Sequence, residues 1–155
     1  MAPGDTHLIV GAIALVRDQA GRVLLVWQRS GPFAGSWLLP GGGVERNEGA
    51  GQAVGRELHE EAGLTATDGR VIATYQTRSE PPGDYDMTVL MYEVTATGEL
   101  KAEAGSKVAW FVPADIPDPH PALRRQLFDA GVGVDDDAAI EDALRDAGIR
   151  MERIG

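Results

Sequence analysis

No cysteine occurs anywhere in the 155 residues. A disulfide framework, a thiol nucleophile and a cysteine-held metal are therefore excluded. Cations are also in short supply: 14 Lys and Arg face 24 Asp and Glu, for a formal net charge of −10. A surface of that sign argues against a nucleic-acid polymer or an anionic membrane as partner. Small nucleotides stay open, because a bound cation inverts the local field. Long apolar runs are missing as well. The run from Leu8 to Val16 is too short to span a membrane and reads as a strand, and Met1 to His7 puts no basic region before it. The simplest expectation is a cytoplasmic enzyme. Two common site motifs are incomplete. Gly105-Ser106-Lys107 lacks the earlier glycine of a phosphate-binding loop, and the stretch from His59 to Gly63 lacks the second histidine of a zinc-protease helix.

The chain is long enough for one compact domain with a real core, and its hydrophobic share of 43% and charged share of 25% are those of an ordinary globular protein. After the first strand, the turn from Asp18 to Gly21 leads into a return strand from Arg22 to Arg29. Further strands are expected at 70–77, 86–95 and 107–112, with Pro81 and Pro82 breaking the first of these from the second. A helix should start at Pro121 and stop at Gly131. A second should be capped by Asp135, Asp136 and Asp137, with Ile140, Leu144 and Ala147 on one face. The order is strands, helix, strands, helices, which points to an α/β protein with a mixed sheet covered by helices.

The most informative stretch runs from Leu39 to Leu64. Gly41, Gly42 and Gly43 leave backbone open to close approach, and a helix follows. On that helix Glu57, Glu60 and Glu61 stand at i, i+3 and i+4, so they share one side. Three crowded carboxylates repel, so at least one should hold a proton unless a cation intervenes. Carboxylate oxygens are hard ligands suited to magnesium, manganese or calcium. Val54, Leu58 and Ala62 form an apolar stripe beside them, and Gly63 offers a left-handed helix end.

Gly42, Glu48, Arg56, Glu57, Leu58, Glu60, Glu61, Gly63 and Leu64 fill every fixed position of the Nudix box, and the segment resembles that family. The resemblance implies the Nudix fold, a mixed β-sheet sandwiched between α-helices, over one domain of residues 1–155 with a C-terminal helical extension at about 119–155. It implies metal-dependent hydrolysis of a pyrophosphate bond in a nucleoside diphosphate linked to another moiety, such as a nucleoside triphosphate or an ADP-ribose-like substrate, with Mg2+ or Mn2+. Glu57, Glu60 and Glu61 then match the catalytic metal ligands, together with the Gly41 carbonyl. Arg56 matches the residue that orients them, and Glu48 the one that braces the loop. The base in such enzymes often comes from a later loop, where Glu103 is the candidate.

Outside the box, Arg29 is a candidate phosphate contact at a strand end. Trp27, Phe33 and Tyr75 are aromatics that either touch a substrate base or serve as core and cover. Pro81 and Pro82 fall slightly later than a proline carried by some ADP-ribose-cleaving relatives. A non-catalytic nucleotide-binding sensor module on the same fold is the alternative; such modules usually lose box glutamates, and this chain keeps them. An isomerase on this fold would need further active-site groups. The last helix either packs locally or supplies a homodimer contact.

Overall fold

The computed structural model describes residues 8–155. Met1 to His7, read above for their lack of a basic region, lie outside the described residues. The elements in chain order are β1 (Leu8–Val16), β2 (Val23–Trp27), β3 (Trp37–Leu38), β4 (Gly41–Gly43), α1 (Ala50–Ala62), β5 (Thr65–Ser79), β6 (Asp86–Thr97), β7 (Val108–Phe111), a short 3-10 turn at Pro113–Asp115, α2 (Pro121–Asp129), α3 (Asp137–Asp146) and β8 (Ile149–Arg153).

The strands form two sheets rather than the single one expected. The larger runs β4-β1-β6-β5-β8, the smaller β3-β2-β7. β1 pairs parallel with β6, from Leu8 opposite Asp86 to Val16 opposite Val94; the other pairings are antiparallel, so the large sheet is mixed. β2 is not a hairpin partner of β1. Only one bridge, Arg17 to Val23, joins their ends, and β2 pairs with β3 and β7 instead. The Asp18 carboxylate accepts hydrogen bonds from Ala20 N and Arg22 N at this corner and pairs with the Arg22 side chain.

Alternation along buried strands assigns each residue to one of two cores. Ala12, Ala14 and Val16 of β1 and Leu24 of β2 pack with Val54, Leu58 and Ala62 of α1. Leu15 of β1 and Val23 and Leu25 of β2 pack on the opposite side with Leu123 and Leu127 of α2. The result is sheets sandwiched between α1 and the C-terminal helices, as the sequence indicated. Among the described residues no helix is long and apolar enough to cross a membrane.

The C-terminal segment differs from a purely helical extension. After α3 the chain turns at Gly148 and adds β8 to the free edge of β5, with Ser79 opposite Ile149 and Tyr75 opposite Arg153. Asp136 caps α3 by accepting from Ala139 N. Ile140 and Leu144 are buried as expected, but Ala147 is exposed, because the helix has already reached its C-cap there. Ile140, Leu144 and Ile149 make a third small core, with Phe33 and Met151 against it.

Candidate active site

α1 is built to hold one face down and one face out. Ala53, Val54, Leu58 and Ala62 are its buried residues. Gln52 at the N-terminus accepts from Gly49 N, satisfying one of the amides a helix start leaves over. Gly63 at the C-terminus has φ +74°, and its N–H closes on the His59 carbonyl. The left-handed stop forecast for Gly63 is therefore present.

On the other face Arg56 acts as a clamp. Its Nε and Nη2 donate to both oxygens of Glu48, at 2.7 and 3.0 Å. Nη1 donates to Glu57 at 2.9 Å and to Glu60 at 3.3 Å, and Nη2 also reaches the Gly43 carbonyl at 3.1 Å. Glu48 in turn accepts from Glu45 N. The guanidinium and that amide together hold the Glu48 carboxyl at about 2, well below its ordinary value. One arginine thus ties the glycine strand, the loop after it and the helix together.

Gly41 and Gly43 lie opposite Ile13 and Gly11 of β1, and each gives a backbone group to a side chain of α1. Gly41 N donates to Oε1 of Glu61 at 2.8 Å, and Gly43 offers its carbonyl to Arg56. Gly42 lies against Glu57: a Cβ there would fall 2.6 Å from Glu57 Oε1. Glycine is needed at this point so that the carboxylate can lie directly over the strand.

The three box glutamates are not equivalent. Glu57 is half-buried, and burial raises its carboxyl above the usual range while Arg56 pulls the other way. Glu61 is pushed up to about 8, first by burial, with the charges of Glu57, Glu103 and Glu60 adding to it; the Gly41 amide opposes the shift. Glu61 makes no ion pair with a cationic side chain among the described residues. Glu60 lies further out, its side chain 48% exposed against 17% for Glu57. Among the described residues no three His, Asp or Glu side chains converge on a single point. Glu57 and Glu61 are the crowded pair, and Glu60 is held aside by Arg56. Crowded, half-dehydrated carboxylate oxygens fit a hard divalent cation, whose charge offsets the burial that chiefly lifts them and the repulsion that adds to it.

Glu103 lies on the loop between β6 and β7, close enough for its charge to be felt at both Glu57 and Glu61. Arg29 fixes it. Nη2 of Arg29 donates to Glu103 at 2.8 Å, and Nη1 donates to the Ala104 carbonyl at 2.8 Å. The sequence read these two residues separately, one for phosphate and one as base. They form one exposed pair, 74 positions apart in the chain, so no local pattern announced it.

Tyr75 corrects the sequence reading. It is fully buried, its ring sits in the α2-side core, and its hydroxyl donates to Asp129 at 2.7 Å. It has no face to offer a substrate. Trp27 stacks edge-on with Trp37 on the small sheet, under the Lys107 ammonium, and does not line the cleft beside the glycine strand. Phe33 does reach that cleft. Its ring packs on Tyr85 and His120, which fixes its position.

A cleft of about 430 Å³ opens beside the glycine strand. Gly41, Gly42 and Gly43 form one end, so it adjoins the carboxylates of α1. Ile9, Ile13, Met87 and Val89 of the paired strands β1 and β6 form its floor, and Phe33 lies at the side. Gln28, Ser30 and Gln126 are its polar residues. Sequence reasoning passed over Gln126, although a signal existed: it lies between Leu123 and Leu127 on the stripe that α2 buries.

Comparison with known proteins bears on the family and the fold. Residues 7–130 match the sequence profile of the NUDIX domain. The chain is 33% identical over 94 residues to diphosphoinositol polyphosphate phosphohydrolase 2 of Rattus norvegicus, covering 61% of this chain and 51% of that protein. It is 31% identical over 100 residues to the ADP-ribose pyrophosphatase of Methanocaldococcus jannaschii, covering 64% and 59%. It therefore spans only between half and three-fifths of these curated relatives. Among solved structures, the MutT NUDIX hydrolase from Burkholderia pseudomallei superposes with a TM-score of 0.71 at 28% identity, over 79% of this chain and 98% of that one.

Proposed function

The chain belongs to the NUDIX family, and from that premise we propose that it hydrolyses a pyrophosphate bond in a nucleoside diphosphate linked to another moiety. Nucleoside triphosphates and ADP-ribose-like compounds are the substrates in view. The relatives carry two substrate classes in their names, diphosphoinositol polyphosphates and ADP-ribose. Both are small molecules with a phosphoanhydride.

The observation that carries the reading is the Glu57–Glu61 pair, half-buried at the glycine strand where the cleft ends. The residues that would hold a magnesium or manganese ion are Glu57, Glu61 and the Gly41 carbonyl, with Glu60 as the outer member. When bound, such an ion polarises the anhydride oxygens and makes a coordinated water easier to deprotonate.

The chain's own groups set the rest. Arg56, braced by Glu48, keeps the Glu57 carboxylate over the strand and stops α1 from rotating its acidic face away. Gly41 N orients the Glu61 carboxylate. Glu103, held by Arg29, is the candidate to accept the proton of the attacking water, and Arg29 serves by positioning it. With Arg29 so engaged, phosphate charge is met at the metal end of the cleft rather than by an arginine fork.

The test is a substrate panel with magnesium, following release of nucleoside monophosphate, phosphate and pyrophosphate. The Glu61→Gln variant should still bind nucleotide and lose about 100-fold or more in kcat. Turnover at the parental rate would remove Glu61 from the chemistry. A parent that binds a nucleotide and cleaves nothing would instead be a binding module on the same fold.

A further inference from the structure

Gln126 projects from α2 and is 8% exposed, yet its side-chain amide makes no hydrogen bond among the described residues. Its backbone carbonyl is used within the helix, accepting from Ala130 N. Among the described residues, no fully enclosed side-chain nitrogen or oxygen lacks a partner. The Gln126 amide must therefore keep contact with open space, and the space it lines is the apolar cleft. A helix that buries Leu123 and Leu127 on the same face has no packing reason to carry an amide between them. Gln28 and Ser30, across the cleft, likewise have side chains free of hydrogen bonds among the described residues.

No described residue lining this cleft carries a charge. A polyphosphorylated ring would need several cations at that place, and none is there. The aliphatic floor of Ile9, Ile13, Met87 and Val89 instead offers a flat surface to a ring, and Phe33 offers an edge. A glutamine amide presents one donor and one acceptor side by side, which matches the polar edge of a nucleobase. We propose that Gln126 is a specificity-determining residue, reading the edge of an uncharged heteroaromatic base that lies on this floor with its phosphates toward Gly41–Gly43. The proposal rests on the hydrolase reading only for the position of the phosphates. It separates this chain from a diphosphoinositol-type substrate at the head group, where the two substrate classes differ most.

Binding measurements test it without requiring turnover. AMP, GMP, CMP and UMP would be titrated calorimetrically with magnesium, beside ribose 5-phosphate and inositol hexakisphosphate. The proteins compared would be the parent, Gln126→Leu and Gln126→Met. At least one nucleotide should bind the parent about ten-fold tighter than ribose 5-phosphate, and both variants should lose most of that margin while ribose 5-phosphate binds as before. Both variants should melt at or above the parental temperature, because the substitution removes an amide that makes no hydrogen bond within the protein and places an apolar side chain against the apolar cleft. If turnover occurs, KM for the nucleotide substrate should rise with kcat largely kept. Three results would overturn the proposal: nucleotides binding no tighter than ribose 5-phosphate, inositol hexakisphosphate binding tighter than every nucleotide, or variants binding nucleotides as the parent does. A parent that binds bases through Gln126 and cleaves no anhydride would sink the hydrolase reading alone. A parent that cleaves nucleotides with no help from Gln126 would sink this one alone.

Discussion

Gly42 shows how little free space surrounds the site's carboxylates. Its φ is one any residue adopts, so an added methyl would act by bulk alone, and it would meet Glu57 Oε1 at 2.6 Å. The far end of a flexible side chain can move aside, so Gly42→Ala should fold with a stability loss of about 1 kcal/mol or less. The carboxylate would be displaced, however, and kcat should fall about ten-fold or more. Gly43→Ala, with nothing within 4 Å of the new methyl, is the control and should keep activity. Loss of function in both, or in neither, would break the link between this contact and catalysis. Most of the acidic site was legible at this scale. Spacing on a helix is local, so Arg56, Glu57, Glu60 and Glu61 could be placed on one side from the sequence alone. What stayed hidden were relations between distant residues: Arg29 with Glu103, and Tyr75 with Asp129.

At the scale of elements, α2 begins with a titratable cap. His120 precedes Pro121, and its Nδ1 accepts from Ala122 N at 3.1 Å. Only the neutral ring can accept there, and burial among Phe33 and its neighbours holds the imidazole below its ordinary 6.5. The unfolded chain therefore takes up the proton first as pH falls. The contribution is complete above about pH 6.5 and is lost below it, until the folded ring protonates, with a slope no steeper than about 1.4 kcal/mol per pH unit. Urea titrations of the parent and of His120→Asn between pH 7.5 and 5 should differ by this slope, since asparagine caps without titrating. Parallel pH profiles would show that the cap contributes nothing. Element boundaries in the sequence were clear where periodicity and stop signals coincided, as in β1 and α1. β8 was not, because Ile149 to Arg153 alternates apolar and charged residues too briefly to compete with the preceding helical pattern. Its strand conformation comes from the open edge of β5, which is 70 or more positions away. β5 itself runs on to Thr65, past the Gly69 region, because β6 supplies partners across two register shifts.

The whole molecule places its acidic helix on one core and the Phe33 side of its cleft on another. α1 rests on the core of Ala12, Ala14 and Leu24, while Phe33 rests on the small core of Ile140, Leu144 and Ile149. Damage to the second should therefore leave the acidic face intact. Ile140→Ala should cost about 2–5 kcal/mol by chemical denaturation. At a temperature where the variant remains folded, KM should rise more than kcat falls. An equal loss in both would mean that the C-terminal core supports the acidic helix as well. The NUDIX match ends at residue 130, so α3 and β8 lie beyond it, yet Phe33 is seated on them. Arg125 reinforces the join by pairing with Asp129 on its own helix and with Asp137 and Glu141 on α3.

The parallel pairing of β1 with β6 imposes an order on how the protein comes into being. Leu8 lies opposite Asp86, so β1 has no partner on that side until β6 has been synthesised. The glycines and α1 are made before the part of the floor formed by Met87 and Val89. Helical structure in α1 can form early, because its bonds are local, whereas closing the β1–β6 register must wait for a long loop to be drawn in. During that interval the acidic helix exists without a cleft. A cation can meet carboxylates at that stage, but only the later arrival of β6 gives a substrate somewhere to lie.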